Sequence, residues 1–366
     1  MDEITQSVRE DGETLPLIIT PKNGRNSVDF LEGWISKNAS YLKEKIREHG
    51  AVLFRGFEID KPHDFERIVL RYQPELSTEY RGTSPRSLQP GTNAVFSASE
   101  LPYFYPLGQH IEMSFLPAPP KEIFFCCLIP PSSVGGETTL CDFAKVYRDL
   151  DPDVRRRFEE KGVMYVRNHT RLDRLLTIDP TMMKGWEATF GSSDKAFVEN
   201  ECRKHNVDFH WSGPKNDNIK MIHREAAIQH HPETNVPVWF NHIQVFNMQM
   251  VSSYMRHHCA RAKSLFFYFA YVCLLLLTWL GGFIKPHDLG FTTLYGDGTV
   301  VPKEDVKHID DAIRKNLVFN RWQKGDAIMI DNFRISHGRQ PFRGKRKVVV
   351  SWSKPFLKPK AFSDCC

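Results

Sequence analysis

His110 and Glu112 stand two positions apart in the stretch GQHIEMSF, residues 108–115. If this stretch is extended, the two side chains leave the same face of a strand, while Ile111 and Met113 point the other way. An imidazole and a carboxylate so placed make a metal-ligand pair. A second histidine from far along the chain would complete a two-histidine, one-carboxylate set. That set suits non-haem Fe(II) and leaves coordination positions open for reactants. Taken alone, an H-x-E pair is weak evidence, because solvated or hydrogen-bonded pairs of this kind are common.

The C-terminal region supplies the missing partners. GDAIMIDNFRISHGRQPFRGKRKVVVSW, residues 325–352, contains a turn, an apolar strand, Asp331-Asn332, then His337, then Arg346 at the head of another strand. Between the two regions lies the glycine turn Gly135-Gly136-Glu137-Thr138. Taken together and in this order, these residues resemble the taurine dioxygenase-like family of Fe(II)/2-oxoglutarate-dependent oxygenases. The nearest likeness is to its clavaminate synthase-like branch, which also carries Glu where the wider family has Asp. The stretch GAVLFRGF, residues 50–57, resembles the family's N-terminal strand. The likeness runs from about residue 30 to 356, apart from one apolar segment.

The resemblance implies a double-stranded β-helix, or jelly-roll (cupin-like), core in a mainly β chain with helical additions (α+β). It implies His110, Glu112 and His337 as ligands of Fe(II), with 2-oxoglutarate as co-substrate and molecular oxygen as oxidant. 2-Oxoglutarate chelates the metal through its 1-carboxylate and keto oxygen, and its 5-carboxylate then needs a buried cation. Arg346 offers a planar two-pronged donor for it, and the motif match adds the hydroxyl of Thr138. Arg339 and Arg343 are alternative anchors, and Thr139 is an alternative to Thr138. The family's sulfonate-gripping arginine, four residues past the anchor, is replaced here by Val350, so that device is absent. The substrate is expected to be a small organic molecule, with hydroxylation as the default outcome. Aromatics of the loop SASELPYFYPLGQ, residues 97–109, are candidates to line its pocket. The histidine groups at 229–231 and 256–259 match no family position and are expected at the surface.

The elements that must position these residues are legible by period and punctuation. Apolar residues at helical spacing predict helices over 28–50, 62–72, 144–162 and 302–316. Strands are predicted at 51–57, 121–131, 163–169, 327–332 and 345–353, with a hairpin over 219–241 turning at PETN. Residues 73–108 are rich in Pro, Ser, Thr and Gly and read mainly as loop. The division expected is an N-terminal tail (1–27), a single oxygenase domain (28–356) and a C-terminal tail (357–366).

The chain has 366 residues, 41% hydrophobic and 25% charged, which is ordinary globular composition. Net charge of +5 is too small to argue for a nucleic-acid partner. The start, MDEITQSVREDGE, lacks the pattern of a secretory signal, and the eight cysteines form no regular framework. A cytoplasmic protein with reduced thiols is expected. Cys365-Cys366 resembles a terminal prenylation signal, although an ordinary tail is the simpler reading.

Leu265–Ile284 is a run of 20 residues without a charge and has the length of a transmembrane helix. A span there would put His110 and Glu112 on one side of a bilayer and His337 and Arg346 on the other. The site and the span are mutually exclusive, and five motifs in order outweigh one hydropathy window. Residues near 255–290 therefore read as an apolar insertion, either a helix beside the site or translated non-coding sequence. Membrane contact through 265–284 is not favoured. Two other functional readings stay open: a catalytically silent jelly-roll binding protein, and a membrane-anchored protein.

Overall fold

A computed structural model describes residues 3–9, 12–80, 82, 86–132, 134–173, 185–281 and 286–358. The terminal Cys365-Cys366 lies outside the described residues. The chain divides into two compact units. One is drawn from Met1–Ala144, His231–Thr234 and Asn316–Pro359, the other from Lys145–His230 and Asn235–Lys315.

The first unit holds two sheets. The larger has seven strands in the spatial order Ile4–Ser7, Leu17–Pro21, Ala51–Phe54, Ala327–Asp331, Glu122–Ile129, Lys347–Trp352 and Phe96–Ser97. The smaller has four, in the order Leu317–Asn320, Thr138–Asp142, Ile335–Arg339 and Leu107–His110. The central strand Glu122–Ile129 shows why its sequence is apolar throughout. Ile123, Phe125 and Cys127 enter a core shared with Leu140, Val318 and Ile335 of the small sheet. Phe124, Cys126 and Leu128 enter a second core on the opposite face, built with Leu31, Ile35, Phe65 and Ile68. Both faces of this strand are covered, so polar alternation is lost. The facing sheets form the jelly-roll core expected from the sequence, and helices Val28–His49 and Pro62–Tyr72 cover its outer face.

The second unit is built on a four-stranded antiparallel sheet in the order Phe291–Tyr295, Val163–His169, Asn218–Glu225 and Asp208–Ser212. The single helix predicted over 144–162 is two, Phe143–Asp149 and Pro152–Lys161. The break has a simple cause. Pro152 disfavours helical geometry at Asp151, and the Asp151 carboxylate accepts from the backbone N–H of Asp153 and Val154 as a cap. The hairpin at PETN is shorter than predicted, with Ile228–His230 paired to Pro237–Trp239. Strand Asn218–Glu225 pairs elsewhere, with Val163–His169 and Asp208–Ser212.

The apolar run forms a 17-residue helix, Leu265–Gly281, beside Met248–Ala262. Among the described residues no helix is long and apolar enough to cross a membrane. Phe267 and Leu274 are buried, whereas Leu265, Phe269, Val272, Leu276 and Trp279 are exposed.

Candidate active site

His110 closes the strand Leu107–His110, and His337 is central in Ile335–Arg339. Antiparallel pairing puts the two directly opposite one another, with ring centroids 4.3 Å apart. Glu112 departs from the extended reading. The strand ends at His110, and residues 112–115 form a turn, with Met113 at a φ of 56°. The turn still brings the carboxylate inward: Glu112 Oε2 lies 3.5 Å from His337 Nε2 and 4.0 Å from His110 Nε2. Each of the three residues offers one ligand atom, and these atoms lie within 4.8 Å of one another. Ile111 and Met113 are buried, Met113 in the core between the two sheets.

The backbone at Glu112 is held by Asn332. Its side-chain oxygen accepts from Glu112 N–H at 2.9 Å, and its amide donates to Glu112 O at 3.1 Å and Pro120 O at 2.8 Å. Neighbouring Asp331 accepts from Phe333 N–H and pairs with His231 Nε2 at 2.9 Å. His231 is therefore a buried structural residue and not the surface histidine expected from the sequence. Its partner lies 100 positions away, which no local pattern announces. His258 is likewise buried, edge-on to Phe267 at 4.5 Å.

Three features fit these residues to a divalent metal. His110 Nδ1 lies 2.9 Å from Gly108 O. A carbonyl only accepts, so Nδ1 carries the hydrogen and Nε2 presents a lone pair toward Glu112. Neither ring nitrogen of His337 has a hydrogen-bond partner among the described residues, although both are buried. Buried polar atoms left in this way are uncommon and call for a ligand. Charge completes the picture. Burial first, then the neighbouring His337, pull His110 down to about 3, so its ring is neutral and able to ligate. Burial lowers His337 as well. For Glu112 burial acts in the opposite sense, but Arg86 and the two histidines override it and keep the carboxyl ionised.

Thr138 and Arg346 meet at the neighbouring end of the small sheet. Arg346 Nε donates to Gly136 O at 2.8 Å, and Nη2 lies 3.4 Å from Thr138 Oγ1, which also accepts from Trp322 Nε1 at 3.0 Å. Thr139 points to the other side, toward the Gln109 amide. Gly136 has a φ of 72°, and a Cβ there would meet Pro131 at 2.9 Å and Phe342 at 3.1 Å, so the turn requires glycine. The Arg346 guanidinium is buried with these neutral oxygens as hydrogen-bond partners. Burial, with Arg339 nearby, lowers it to about 9. A buried cation so placed favours an anion. The two alternative anchors are engaged otherwise. Arg339 donates to the carbonyls of Leu101, Pro102 and Tyr105, tying down the 97–109 loop. Arg343 is exposed. Within that loop Tyr103 is 46% and Phe104 40% exposed, so these two aromatics do not wall a closed pocket. Val350 is fully buried in the core.

Sequence reasoning missed Arg86 altogether. It lies in the Pro- and Ser-rich stretch read as loop, yet its side chain is 2% exposed and its Nη2 donates to Glu112 Oε2 at 2.5 Å. Nothing in its spacing or neighbours singles it out.

Dapdiamide synthesis protein DdaC of Enterobacter agglomerans is 28% identical over 315 residues, 86% of this chain and 85% of the relative. A clavaminate synthase-like protein of Arabidopsis thaliana is 28% identical over 362 residues, 96% of this chain and 97% of the relative. In fold, the chain is similar to PvcB, described as an Fe, alpha-ketoglutarate dependent oxygenase from an isonitrile synthetic pathway. The TM-score is 0.50 at 12% identity, covering 96% of this chain and 90% of that one. Residues 19–352 match the taurine catabolism dioxygenase TauD, TfdA family, and the chain belongs to that family of Fe(II)- and 2-oxoglutarate-dependent dioxygenases.

Proposed function

We propose that His110, Glu112 and His337 are the protein ligands of the Fe(II) that this dioxygenase uses, and that Thr138 and Arg346 receive the 5-carboxylate of 2-oxoglutarate. The observation that carries the reading is the convergence of three buried ligand atoms within 4.8 Å, two from neighbouring positions 110 and 112 and the third from His337, more than two hundred residues further on. When bound, the metal supplies the redox chemistry by which oxygen and 2-oxoglutarate oxidise a small organic substrate, with release of succinate and CO2.

The chain's own contribution is geometry and exclusion of water. The ladder between the two histidine strands fixes the imidazoles, and Gly108 O selects the His110 tautomer that presents Nε2. Asn332 fixes the turn that carries Glu112. Arg346 contributes a fork that matches a carboxylate, and its burial strengthens that pairing. We take residues 28–356 as one oxygenase domain, to which strands Ile4–Ser7 and Leu17–Pro21 of the expected N-terminal tail add by pairing into the large sheet; a family match over 19–352 supports this reading. We also place the enzyme in the cytoplasm, on the free state of six described cysteines.

Anaerobic addition of Fe(II) and 2-oxoglutarate tests the assignment. A visible charge-transfer band is expected from the metal chelate in the wild-type protein and none in His110→Ala. A band that survives His110→Ala unchanged overturns the ligand set, and no band in wild type overturns the reading as a whole.

A further inference from the structure

The apolar helix Leu265–Gly281 has no part in the oxygenase site. One of its faces is occupied by Met248–Ala262. Phe267 and Leu274 are buried, and His258 of the neighbouring helix stands edge-on to Phe267 at 4.5 Å. Thr278 Oγ1 donates to Leu274 O at 2.8 Å and lies 3.0 Å from Ser252 Oγ. The opposite face is bare. Leu265, Phe269, Val272, Leu276 and Trp279 recur at steps of four and three, so they line one side of the helix from end to end. Each of the five is 55% exposed or more. At 1.5 Å per residue the strip is roughly 21 Å long. An apolar strip of this length with no charged side chain in it marks an interaction surface.

Charge indicates what covers it. Met248–Gly281 contains no Asp or Glu, but it holds Arg256, Arg261 and Lys263. Arg256 and Lys263 are exposed, and their side chains make no hydrogen bond or ion pair among the described residues. Lys263 caps the first helix two residues before Leu265, which puts a free cation at the head of the strip. Acids reach this helix pair from Lys303–Lys315, and Asp310 and Asp311 there are already engaged by Ser253 and Arg314. Free cations beside a bare apolar face complement an anionic lipid surface, whose headgroups and acyl chains meet both at once. Trp279, at the far end of the strip, is a residue type that settles at headgroup level. A second copy of this chain fits the face less well. The heptad spacing lasts only two repeats, and the helix has no charged residue to set a partner's register. Length excludes a span: the 17 residues of the helix give roughly 25 Å against a hydrocarbon core of about 30 Å.

We propose that helix Leu265–Gly281 docks this protein on the surface of a bilayer carrying anionic phospholipids. The helix lies in the plane of the interface, with the Leu265–Trp279 strip among the acyl chains and Arg256 and Lys263 on the headgroup phosphates. A helix lying on one leaflet crosses nothing. The strands that bear His110 and His337 therefore stay in one compartment, and this contact is compatible with the metal site where a span is not.

Sedimentation of the full chain with vesicles tests it. Vesicles of mixed phosphatidylcholine and phosphatidylserine are expected to carry wild type down. Vesicles of phosphatidylcholine alone should carry at least about tenfold less, with the difference closing at high salt. Phe269→Asp with Leu276→Asp is expected to weaken binding to the mixed vesicles at least about a hundredfold. Both side chains are exposed, so the Tm should stay at the wild-type value, and Phe269→Ser with Leu276→Ser serves if the aspartate form does not fold. Arg256→Gln with Lys263→Gln is expected to lower binding to the mixed vesicles by more than about tenfold. Lipids brominated in the acyl chain should quench wild-type fluorescence and lose that effect in Trp279→Phe. Wild type that stays in the supernatant overturns the proposal, as does binding undiminished by the substitutions at 269 and 276, or quenching unchanged in Trp279→Phe. A dimer that dissociates in Phe269→Asp and binds no vesicles overturns it in favour of a second copy.

Discussion

His337 faces His110 directly across two antiparallel strands, their ring centroids 4.3 Å apart. That register is what turns two histidines remote in sequence into neighbours, and Glu112 completes the set from the following turn. Replacing either histidine by alanine is expected to weaken metal binding by more than about a hundredfold, beyond the loss seen when only an outer partner of a ligand is removed. Metal content after dialysis against a weak chelator measures this; a variant that retains a full equivalent contradicts the assignment.

Asn332 holds both backbone groups of Glu112 and also Pro120 O, all inside the core. Asn332→Ala leaves buried groups without partners, at a cost of about 1–3 kcal/mol for each group stranded. The expected result is a lower urea midpoint together with roughly ten- to hundredfold weaker Mn(II) binding, since the turn that aims Glu112 is loosened. Stability lost with metal affinity intact would show that the Asn332 clamp does not aim the carboxylate.

How much of this was legible in the sequence depends on how local the cause is. His110, Glu112, His337, Thr138 and Arg346 carry a motif order, and the strands that bear them announce themselves by apolar runs and glycine turns. The turn at Glu112 was not legible, because GQHIEMSF has no glycine or proline after His110 to end the strand. It ends instead through the tertiary bonds of Asn332, which sits 220 positions away. His231 and Arg86 were missed for the same reason: their burial and their partners come from other segments of the chain. The break at Asp151-Pro152, by contrast, had a local signal in the proline, which the amphipathic period over 144–162 masked.

Arg346 carries a buried charge whose hydrogen bonds go to neutral oxygens, and burial depresses it to about 9. An anion at that fork removes part of the cost of burying the charge. 2-Oxoglutarate at about 100 times its Kd should therefore stabilise the metal-loaded protein by about 2.7 kcal/mol, visible as a raised Tm. Arg346→Ala is expected to abolish that shift while leaving Mn(II) affinity unchanged. Loss of metal binding alone would reassign the residue.

The histidines give a pH dependence whose sign follows from their burial. Burial, then the neighbouring His337, pulls His110 down to about 3 from an ordinary value of 6.5, and burial displaces His337 in the same direction. A folded value below the unfolded one means that the unfolded chain takes up the proton first. Stability from the neutral rings is whole above pH 6.5 and is lost progressively as the pH falls from there toward 3. Melting of the metal-free protein at a series of pH values should show a steeper acid decline for wild type than for His110→Gln. Parallel curves would mean that His110 is not held neutral by its surroundings.

Gly338 follows His337 on the same strand, where neighbouring strands approach closely. A Cβ there would lie 2.7 Å from Gln109 Nε2, 2.7 Å from Leu107 O and 3.0 Å from Thr139 Oγ1. Two of these neighbours belong to the strand that carries His110 and one to the strand that carries Thr138, so a methyl group pushes on both sides of the site at once. The backbone oxygen of Leu107 cannot turn aside as a flexible side-chain end can, and strand separation must absorb the clash. Gly338→Ala is expected to cost about 1–3 kcal/mol, the usual penalty for overpacking a close-packed interior. It should also weaken Mn(II) binding, because His110 moves with Leu107 along one strand. Chemical denaturation and metal titration of the same variant separate the two effects. A variant as stable as wild type would show that the sheet yields more readily here than close packing of these strands allows.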